Sequence, residues 1–299
     1  MAIARTLPLV VSLTTLPSRI DHLRATIDSL YEQTCPPDKI LLCLPKWSQR
    51  ENAAYDRPNW LSLYHSLLEI VESDDDGPGT KLLGALDHIV TPTCLIVADD
   101  DMRYKPSFLE HLYRHQVNEP AASFSYYTYP KGPVTVGQGA DGLSFYSPNL
   151  SGIRAYAKKA IKFPALWVMD DVWICAFLWR RGVPVKNLGH LVPAGGFIYE
   201  ATHSVNQLRD MSGDLRREAV TTDGLNYLFE HGLLGRPLQL VALAKKILRT
   251  HRSRLFRRAA SIGQSEDYLV NTSTGPSPRR EVKLAFRGTE QSGQHSQDR

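Results

Sequence analysis

Cysteine is scarce in this sequence, and long apolar runs are absent from it. The chain has 4 cysteines among 299 residues, and no two of them stand in the CxxC spacing of a metal or redox site. Cys43 and Cys94 lie within apolar stretches, so we expect them to be reduced core residues. No apolar run approaches the roughly 18 to 20 residues that cross a bilayer, and residues 1–8 lack the apolar segment of a secretion signal. These absences predict a cytoplasmic protein without a disulfide framework.

Neither sign of charge dominates the whole chain, but its two ends differ. Residues 236–299 hold 13 Lys and Arg against 5 Asp and Glu, whereas residues 1–235 hold 22 against 26. The basic character therefore belongs to the C-terminal segment, which argues against a nucleic-acid partner for the body of the protein. Apolar residues at 42% and charged residues at 22% are typical of a soluble globular chain and exclude a collagen-like or wholly disordered one.

The first hundred residues alternate between short apolar runs and amphipathic stretches. The apolar runs, which are typical of buried parallel strands, cover residues 7–13, 39–44, 67–71 and 93–98. Apolar residues spaced three and four apart predict helices over about 20–32 and 81–89, while residues 45–65 are interpreted as an irregular insertion. Successive units of this kind predict an α/β fold, with a Rossmann-like, mostly parallel sheet flanked by helices.

The pattern changes after Pro106 and again after residue 235. We expect helices over 108–117, 153–162 and 170–181, strands over 121–127 and 134–136, and a mobile glycine-rich loop over 137–149. Residues 236–260 predict a basic amphipathic helix, and the polar residues 261–299 predict a disordered tail. The predicted organisation is one α/β domain over 1–235, followed by a helical extension and that tail.

Three consecutive carboxylates, Asp99, Asp100 and Asp101, follow the fourth predicted strand directly. Ligands of open parallel sheets bind beyond the carboxyl ends of the strands, and crowded carboxylates repel one another unless a cation neutralises them. Oxygen ligands of this type suit Mn²⁺ or Mg²⁺. The alternatives are a solvated acidic turn and a haloacid-dehalogenase-type phosphatase. The phosphatase is disfavoured because the threonine that follows the acidic motif in those enzymes is absent here.

Four segments together resemble bacterial nucleotide-sugar-dependent glycosyltransferases of the GT-A fold, similar to family 2. They are residues 12–19 (SLTTLPSR), 76–82 (DGPGTKL), 97–101 (VADDD) and 169–173 (MDDVW). The resemblance covers about residues 7–210. It implies a GT-A-type sheet and transfer of a sugar from a nucleoside-diphosphate sugar to an acceptor hydroxyl. It also implies Mn²⁺ or Mg²⁺ on the diphosphate, and the acceptor would be a glycan or a lipid-linked glycan.

The resemblance also implies a role for each residue that matches its segments. Six residues would bind the nucleotide sugar: Thr14, Thr15, Arg19, Asp76, Lys81 and Asp100. Asp99 and Asp101 would hold the metal together with His203, since a late histidine does so in some GT-A enzymes. Asp171 would deprotonate the attacking hydroxyl, and Asp170 would orient an acceptor hydroxyl or the base.

Each of these residues also has an ordinary structural explanation. Threonines cap helices, single lysines and arginines are usually solvated, and a lone histidine is more often a packed residue than a ligand. Two acids in a first helical turn, as at Asp170 and Asp171, are favoured by the helix dipole alone. Two other functions therefore stay open at this point, a module that binds nucleotide sugars without transferring them and a metal-dependent phosphohydrolase.

The basic segment 236–260 has three explanations. It could contact an anionic membrane from the cytoplasmic side, pack on the catalytic domain with its charges solvated, or bind nucleic acid. Because Phe256 is the only aromatic residue among its basic side chains, we expect no nucleic-acid partner.

Overall fold

The structure is a computed structural model, and it describes residues 6–192, 196–203 and 208–235. Within residues 208–218 it describes only the helical backbone. The predicted helix over 236–260 and the predicted disordered tail over 261–299 lie outside the described residues. Those two predictions, and the domain boundaries drawn from them, therefore stay predictions.

The described residues form thirteen strands, seven of which make one sheet. In chain order the strands are β1 (Leu9–Leu13), β2 (Lys39–Leu44), β3 (Trp47–Ser48), β4 (Ala53–Ala54), β5 (Leu68–Glu72), β6 (Cys94–Val97), β7 (Met102–Tyr104), β8 (Ser123–Ser125), β9 (Thr128–Lys131), β10 (Val134–Gly137), β11 (Leu143–Tyr146), β12 (Val185–Asn187) and β13 (Tyr199–Ala201). The order across the large sheet is β12-β8-β11-β6-β1-β2-β5. Its pairs are parallel except that β11 runs antiparallel to both of its neighbours, β6 and β8.

The central strands form because their residues are apolar on both sides. All residues of β1 and β6 are buried, and neighbouring residues of each strand point to opposite faces of the sheet. Val10 belongs to one layer of the core, for example, whereas Leu9 and Val11 belong to the other. A strand that is covered on both faces needs a continuous apolar run, which is why the sequence reveals these strands.

Seven α-helices of the described residues cover the two faces of the sheet. They are α1 (Arg24–Tyr31), α2 (Thr80–Ala85), α3 (Phe108–Asn118), α4 (Ile153–Ala160), α5 (Pro164–Val168), α6 (Asp170–Arg181) and α7 (Leu208–Glu230). Side chains of α1 and α3 pack in the core layer on one face, and side chains of α2, α4 and α6 pack in the layer on the other. Short 3-10 turns complete the connections, including Pro17–Leu23 directly before α1.

The predicted fold class, a Rossmann-like, mostly parallel α/β sheet flanked by helices, is confirmed for the described residues. Several local predictions differ from the structure. The stretch 137–149 was expected to be a loop, but it contains β11, which lies between β6 and β8 within the sheet. Residues 45–65 form the β3–β4 hairpin and a 3-10 turn rather than an irregular insertion. Helix α7 was not predicted at all.

Two further expectations concern the cysteines and membrane spans. Cys43 and Cys94 are buried, as expected, and so are Cys35 and Cys175; within the described residues none of the four forms a disulfide. In the part of the chain that the structure describes, none of the helices combines the length and the apolar character needed to cross a bilayer.

Candidate active site

A cleft of about 700 Å³ opens at the carboxyl ends of the parallel strands. Its walls come from the residues that follow β1, β5 and β6 and from the beginning of α6. Nine of the eleven site residues named from the sequence line it: Thr14, Thr15, Arg19, Lys81, Asp99, Asp100, Asp101, Asp170 and Asp171. The other two, Asp76 and His203, are not part of its lining. Residues that are distant in sequence therefore meet at one edge of the sheet, as ligand sites of open α/β folds do.

Asp100 is buried and anchors the loop that follows β1. One Oδ atom of Asp100 lies 2.6 Å from the Arg19 guanidinium, and the other accepts a hydrogen bond of 2.5 Å from Thr15 Oγ1. Burial raises the pKa of Asp100, while the charge of Arg19 and the Thr15 hydroxyl act in the opposite direction. Thr14 donates its hydroxyl to the backbone oxygen of Cys43 at 2.7 Å. These contacts give Thr14, Thr15 and Asp100 a clear structural role, and their proposed role toward a nucleotide stays a prediction.

Asp99 and Asp101 lie close enough to repel each other. Burial, together with the neighbouring charges of Asp99 and Asp100, raises the pKa of Asp101 to about 6. The Arg19 guanidinium, at 2.6 Å from Asp101 Oδ2, offsets part of this repulsion. A second cation near Asp99 and Asp101 would therefore stabilise the ionised form of both carboxylates.

Lys81 connects the acidic cluster to the beginning of α6. Its Nζ lies 2.8 Å from Asp99 Oδ1 and 3.1 Å from Asp170 Oδ2, and its side chain is only 5% exposed. The second contact is an ion pair whose geometry does not make a hydrogen bond, because Asp170 Oδ2 has no hydrogen-bond partner in the described residues. Burial alone would lower the pKa of Lys81, but Asp170, Asp99 and Asp171 outweigh burial and hold it well above its usual value. Lys81 is therefore charged, and its charge already faces protein carboxylates.

The loop between β10 and β11 lies against this ion pair. The backbone N–H of Gly139 donates a hydrogen bond of 3.1 Å to Asp171 Oδ1. A Cβ at Gly139 would stand 2.5 Å from Asp99 Oδ1 and 2.8 Å from Lys81 Nζ, so only glycine allows the loop to approach this closely. Gly139 thus connects the acid that follows β6 to the acid that begins α6.

A divalent cation fits the charge of this cleft, although the described residues do not form a complete cage for one. Six carboxylates and three basic side chains line the cleft, so it carries an excess of negative charge that a diphosphate ligand would meet. No group of three His, Cys, Asp or Glu side chains within the described ranges is arranged to hold a metal. Mg²⁺ in enzymes is often held by one or two carboxylates with substrate phosphates and water, and Asp99 and Asp101 suit that partial coordination.

His203 does not join Asp99 and Asp101 in a group of three metal ligands. Its ring packs against the ring of His22, with centroids 4.8 Å apart. Burial, together with the charges of Arg19 and His22, lowers the pKa of His203 to about 4, so the imidazole is neutral at pH 7. A neutral imidazole can ligate a metal. The ligand role of His203 stays a prediction.

The chain has matches among solved structures, but no family model and no curated protein matches it. One of these structures is GalNAc-T7 with UDP, GalNAc and Mn²⁺, to which this chain is similar with a TM-score of 0.44 and 10% sequence identity. The alignment covers 60% of this chain and 41% of the GalNAc-T7 chain, so this chain spans less than half of that protein. A similarity at this level carries no argument about the chemistry here.

Several residues that the sequence did not single out also line the cleft. They are Pro45, Ser48, Arg50, Tyr55, Asp75 and Gln138, with apolar residues of α5. Asp75, not the predicted Asp76, faces the cleft, and its Oδ2 accepts a hydrogen bond of 2.6 Å from the backbone of Gln49. Burial raises the pKa of Asp76, and the nearby charge of Asp74 raises it further. The sequence shows three consecutive acids, Asp74, Asp75 and Asp76, but it does not show which of them lines the cleft.

Proposed function

We propose that the protein is a glycosyltransferase that moves a sugar from a nucleoside-diphosphate sugar to an acceptor hydroxyl. The observation that carries the proposal is the meeting of two acidic groups in one cleft. Asp99 and Asp101 follow the central strand β6, Asp170 and Asp171 begin α6, and Lys81 lies between the groups. A donor diphosphate needs positive charge and an acceptor hydroxyl needs a base, and the two groups can meet these needs separately.

The first acidic group would serve the donor. Asp99 and Asp101 would hold Mn²⁺ or Mg²⁺, which when bound supplies positive charge for the diphosphate leaving group. Arg19 fixes Asp100 and Asp101, and Thr15 fixes Asp100 from the opposite side, so the carboxylates are oriented before any ligand arrives. Orientation of this kind lowers the reorganisation needed when charge develops in the transition state.

The second acidic group would serve the acceptor. As the acceptor oxygen attacks the anomeric carbon, the bond from that carbon to the diphosphate oxygen breaks, and its electron pair leaves with the nucleoside diphosphate. The hydroxyl proton passes to the carboxylate of Asp171, whose Oδ1 is held by the Gly139 N–H. Asp170 is buried and paired with Lys81, and this ion pair would hold the beginning of α6, and with it Asp171, in position.

We place this reaction in the synthesis of a polysaccharide or a glycolipid, with hexose as the transferred sugar. The proposed location is the cytoplasm or the inner face of a membrane, and the acceptor is a glycan or a lipid-linked glycan. The resemblance of the four sequence segments to bacterial enzymes supports this placement.

The test is a panel of nucleotide sugars with Mn²⁺, each incubated with and without glycan and lipid-linked acceptors. We expect one donor to release its nucleoside diphosphate only when an acceptor is present, with the sugar recovered on that acceptor. Release of inorganic phosphate would instead indicate a phosphohydrolase. Donor binding without release under any condition would indicate a binding module, and either result would contradict the proposal.

Substitution of Asp171 by Asn tests whether the two acidic groups have separate roles, one toward the acceptor and one toward the donor. The variant should lose roughly 10²- to 10⁴-fold in kcat, the usual effect of removing a general base, while its donor dissociation constant stays near that of the wild type. Asp21→Asn, at an exposed residue outside the cleft, is the control and should leave kcat unchanged. If donor affinity falls as much as kcat, Asp171 holds the donor and the base lies elsewhere.

A further inference from the structure

The hairpin formed by β3 and β4 is fixed over the donor side of the cleft at three points. The backbone N–H of Gln49 donates to Asp75 Oδ2 at 2.6 Å, and Glu51 Oε2 accepts a hydrogen bond of 2.8 Å from the backbone of Ser18. Beyond β4, Tyr55 donates its hydroxyl to the backbone oxygen of Thr15 at 2.9 Å. These contacts tie the hairpin to residues that follow β5 and β1, so the hairpin is a fixed part of the cleft wall.

Arg50, in the turn of this hairpin, is brought close to Arg19. Both side chains line the cleft, and Arg50 is partly buried. Burial lowers the pKa of Arg50, the positive charge of Arg19 lowers it further, and the carboxylates of Glu51 and Asp100 act against both. Two guanidinium groups held near each other in a partly desolvated place repel, and an anion between them would relieve that repulsion.

Arg19 also has an unused hydrogen-bond donor. Its terminal nitrogen holds both Asp100 and Asp101, yet its buried Nε has no acceptor among the described residues. A buried donor without a partner is costly, and native proteins normally satisfy such a group. Because Arg19 as a whole is 8% exposed and lines the cleft, a ligand is the natural source of the missing acceptor.

We propose that Arg50 and the Nε of Arg19 together bind the diphosphate of a nucleoside diphosphate. The planar guanidinium fork suits phosphate oxygens, and Asp99 and Asp101 line the same cleft, with Asp101 paired to Arg19. A diphosphate would thus meet positive charge from the hairpin as well as from a bound cation. The proposal rests on the proposed function for the identity of the ligand, and it adds a residue outside the four segments that resemble glycosyltransferases.

The test measures binding by calorimetric titration, with inorganic pyrophosphate and Mg²⁺ as the first probe because it contains no base. The second probes are the preferred nucleoside diphosphate and the nucleoside that corresponds to it. Arg50→Gln should weaken binding of both phosphate-containing probes by roughly tenfold or more, which is the expected loss of a charge-assisted hydrogen bond. The affinity of the nucleoside should not change, and Arg50→Lys should recover part of the loss.

Arg57→Gln is the matched control. Arg57 follows the same hairpin, is exposed and does not line the cleft, so its removal should leave every affinity unchanged. Thermal melting of each variant shows whether it is folded, and Arg50→Lys keeps the test available if Arg50→Gln is not. Unchanged pyrophosphate affinity in Arg50→Gln, an equal loss for the nucleoside, or no pyrophosphate binding by the wild type would each overturn the inference. Sugar transfer by the wild type is measured separately, so failure of the proposed function would show in that assay alone.

Discussion

Lys81 illustrates how one buried side chain can connect two parts of a site. Its Nζ is shared between Asp99 and Asp170, so its charge neutralises protein carboxylates before any phosphate is present. Removing a partner from a buried ion pair leaves an uncompensated charge and typically costs about 3 to 5 kcal/mol. Lys81→Met should therefore lower the free energy of unfolding by about that amount in urea titrations.

The matched control for this prediction is Lys39→Met. Lys39 pairs with Glu69 at 2.6 Å, but the two side chains are 45% and 41% exposed. Such a pair usually contributes about 1 kcal/mol or less. Equal losses in Lys39→Met and Lys81→Met would contradict the view that Lys81 compensates buried charge.

Asp141 supplies a prediction about pH at the same scale. Burial, together with the charge of Asp99, raises its pKa to about 7. An unfolded aspartate has a pKa of about 3.9, so the folded protein holds the extra proton between these values and loses stability as pH rises through that window. Asp141→Asn removes this penalty. The free energy of unfolding of the variant should exceed that of the wild type by an amount that grows from about pH 4 to 7 and is constant above.

Urea titrations at pH 4, 5.5, 7 and 8 measure that difference, and Asp21→Asn, at an exposed position, is the control. The control should differ little from the wild type at every pH. A difference between Asp141→Asn and the wild type that does not change with pH would mean that the Asp141 carboxyl is not protonated in the fold.

At the scale of elements, the loop between β10 and β11 lies directly against the ion pair of Lys81 and Asp99. Gly139→Ala would place a methyl group within 3 Å of both Asp99 Oδ1 and Lys81 Nζ and would displace that ion pair. Small displacements of catalytic groups can cost about 10²-fold in rate, so we expect a loss of that size in kcat. The control is Gly132→Ala, in the β9–β10 turn, where φ is +56° and no atom lies within 4 Å. It should cost about 1 kcal/mol of stability and leave kcat unchanged. Unchanged kcat in Gly139→Ala would contradict the proposed position of the loop.

The elements that sequence analysis found and missed differ in how their residues are buried. Strands β1, β2 and β6 are buried on both faces, so each is a continuous apolar run that a sequence displays. Strand β11 has only four residues after a glycine-rich stretch, which is too short for a period to be recognised. In α7, only Thr221, Gly224, Leu225 and Leu228 of the residues from 219 onward are buried, and a stripe with so few large apolar side chains gives a weak pattern.

At the scale of the whole molecule, the sequence predicts the site residues that follow strands of the sheet, but it does not predict the one that the β3–β4 hairpin contributes. Residues after β1 and β6 had to meet because the carboxyl ends of parallel strands share one edge. No comparable rule predicts that Arg50 lies in the cleft. Its position in the cleft depends on tertiary hydrogen bonds, one donated by its hairpin to Asp75 and one that the hairpin accepts from the backbone of Ser18. The choice between Asp75 and Asp76 was likewise decided by local turn geometry.

The basic segment 236–260 lies outside the described residues. Seven of its eight basic residues lie among apolar residues over 245–258: Lys245, Lys246, Arg249, Arg252, Arg254, Arg257 and Arg258. A cationic amphipathic helix gains about 1 kcal/mol per basic residue near an anionic surface, and we propose that this segment holds the protein at such a membrane.

Flotation with vesicles of phosphatidylglycerol and phosphatidylcholine tests this proposal. We expect the full chain to float with them, to be released by high salt because the attraction is electrostatic, and not to float with vesicles of phosphatidylcholine alone. A chain ending at Gly235 should stay at the bottom of the gradient while keeping the circular dichroism of the folded domain. Equal flotation of the shortened chain would contradict the proposal, and the basic residues would then be explained as the solvated face of a helix.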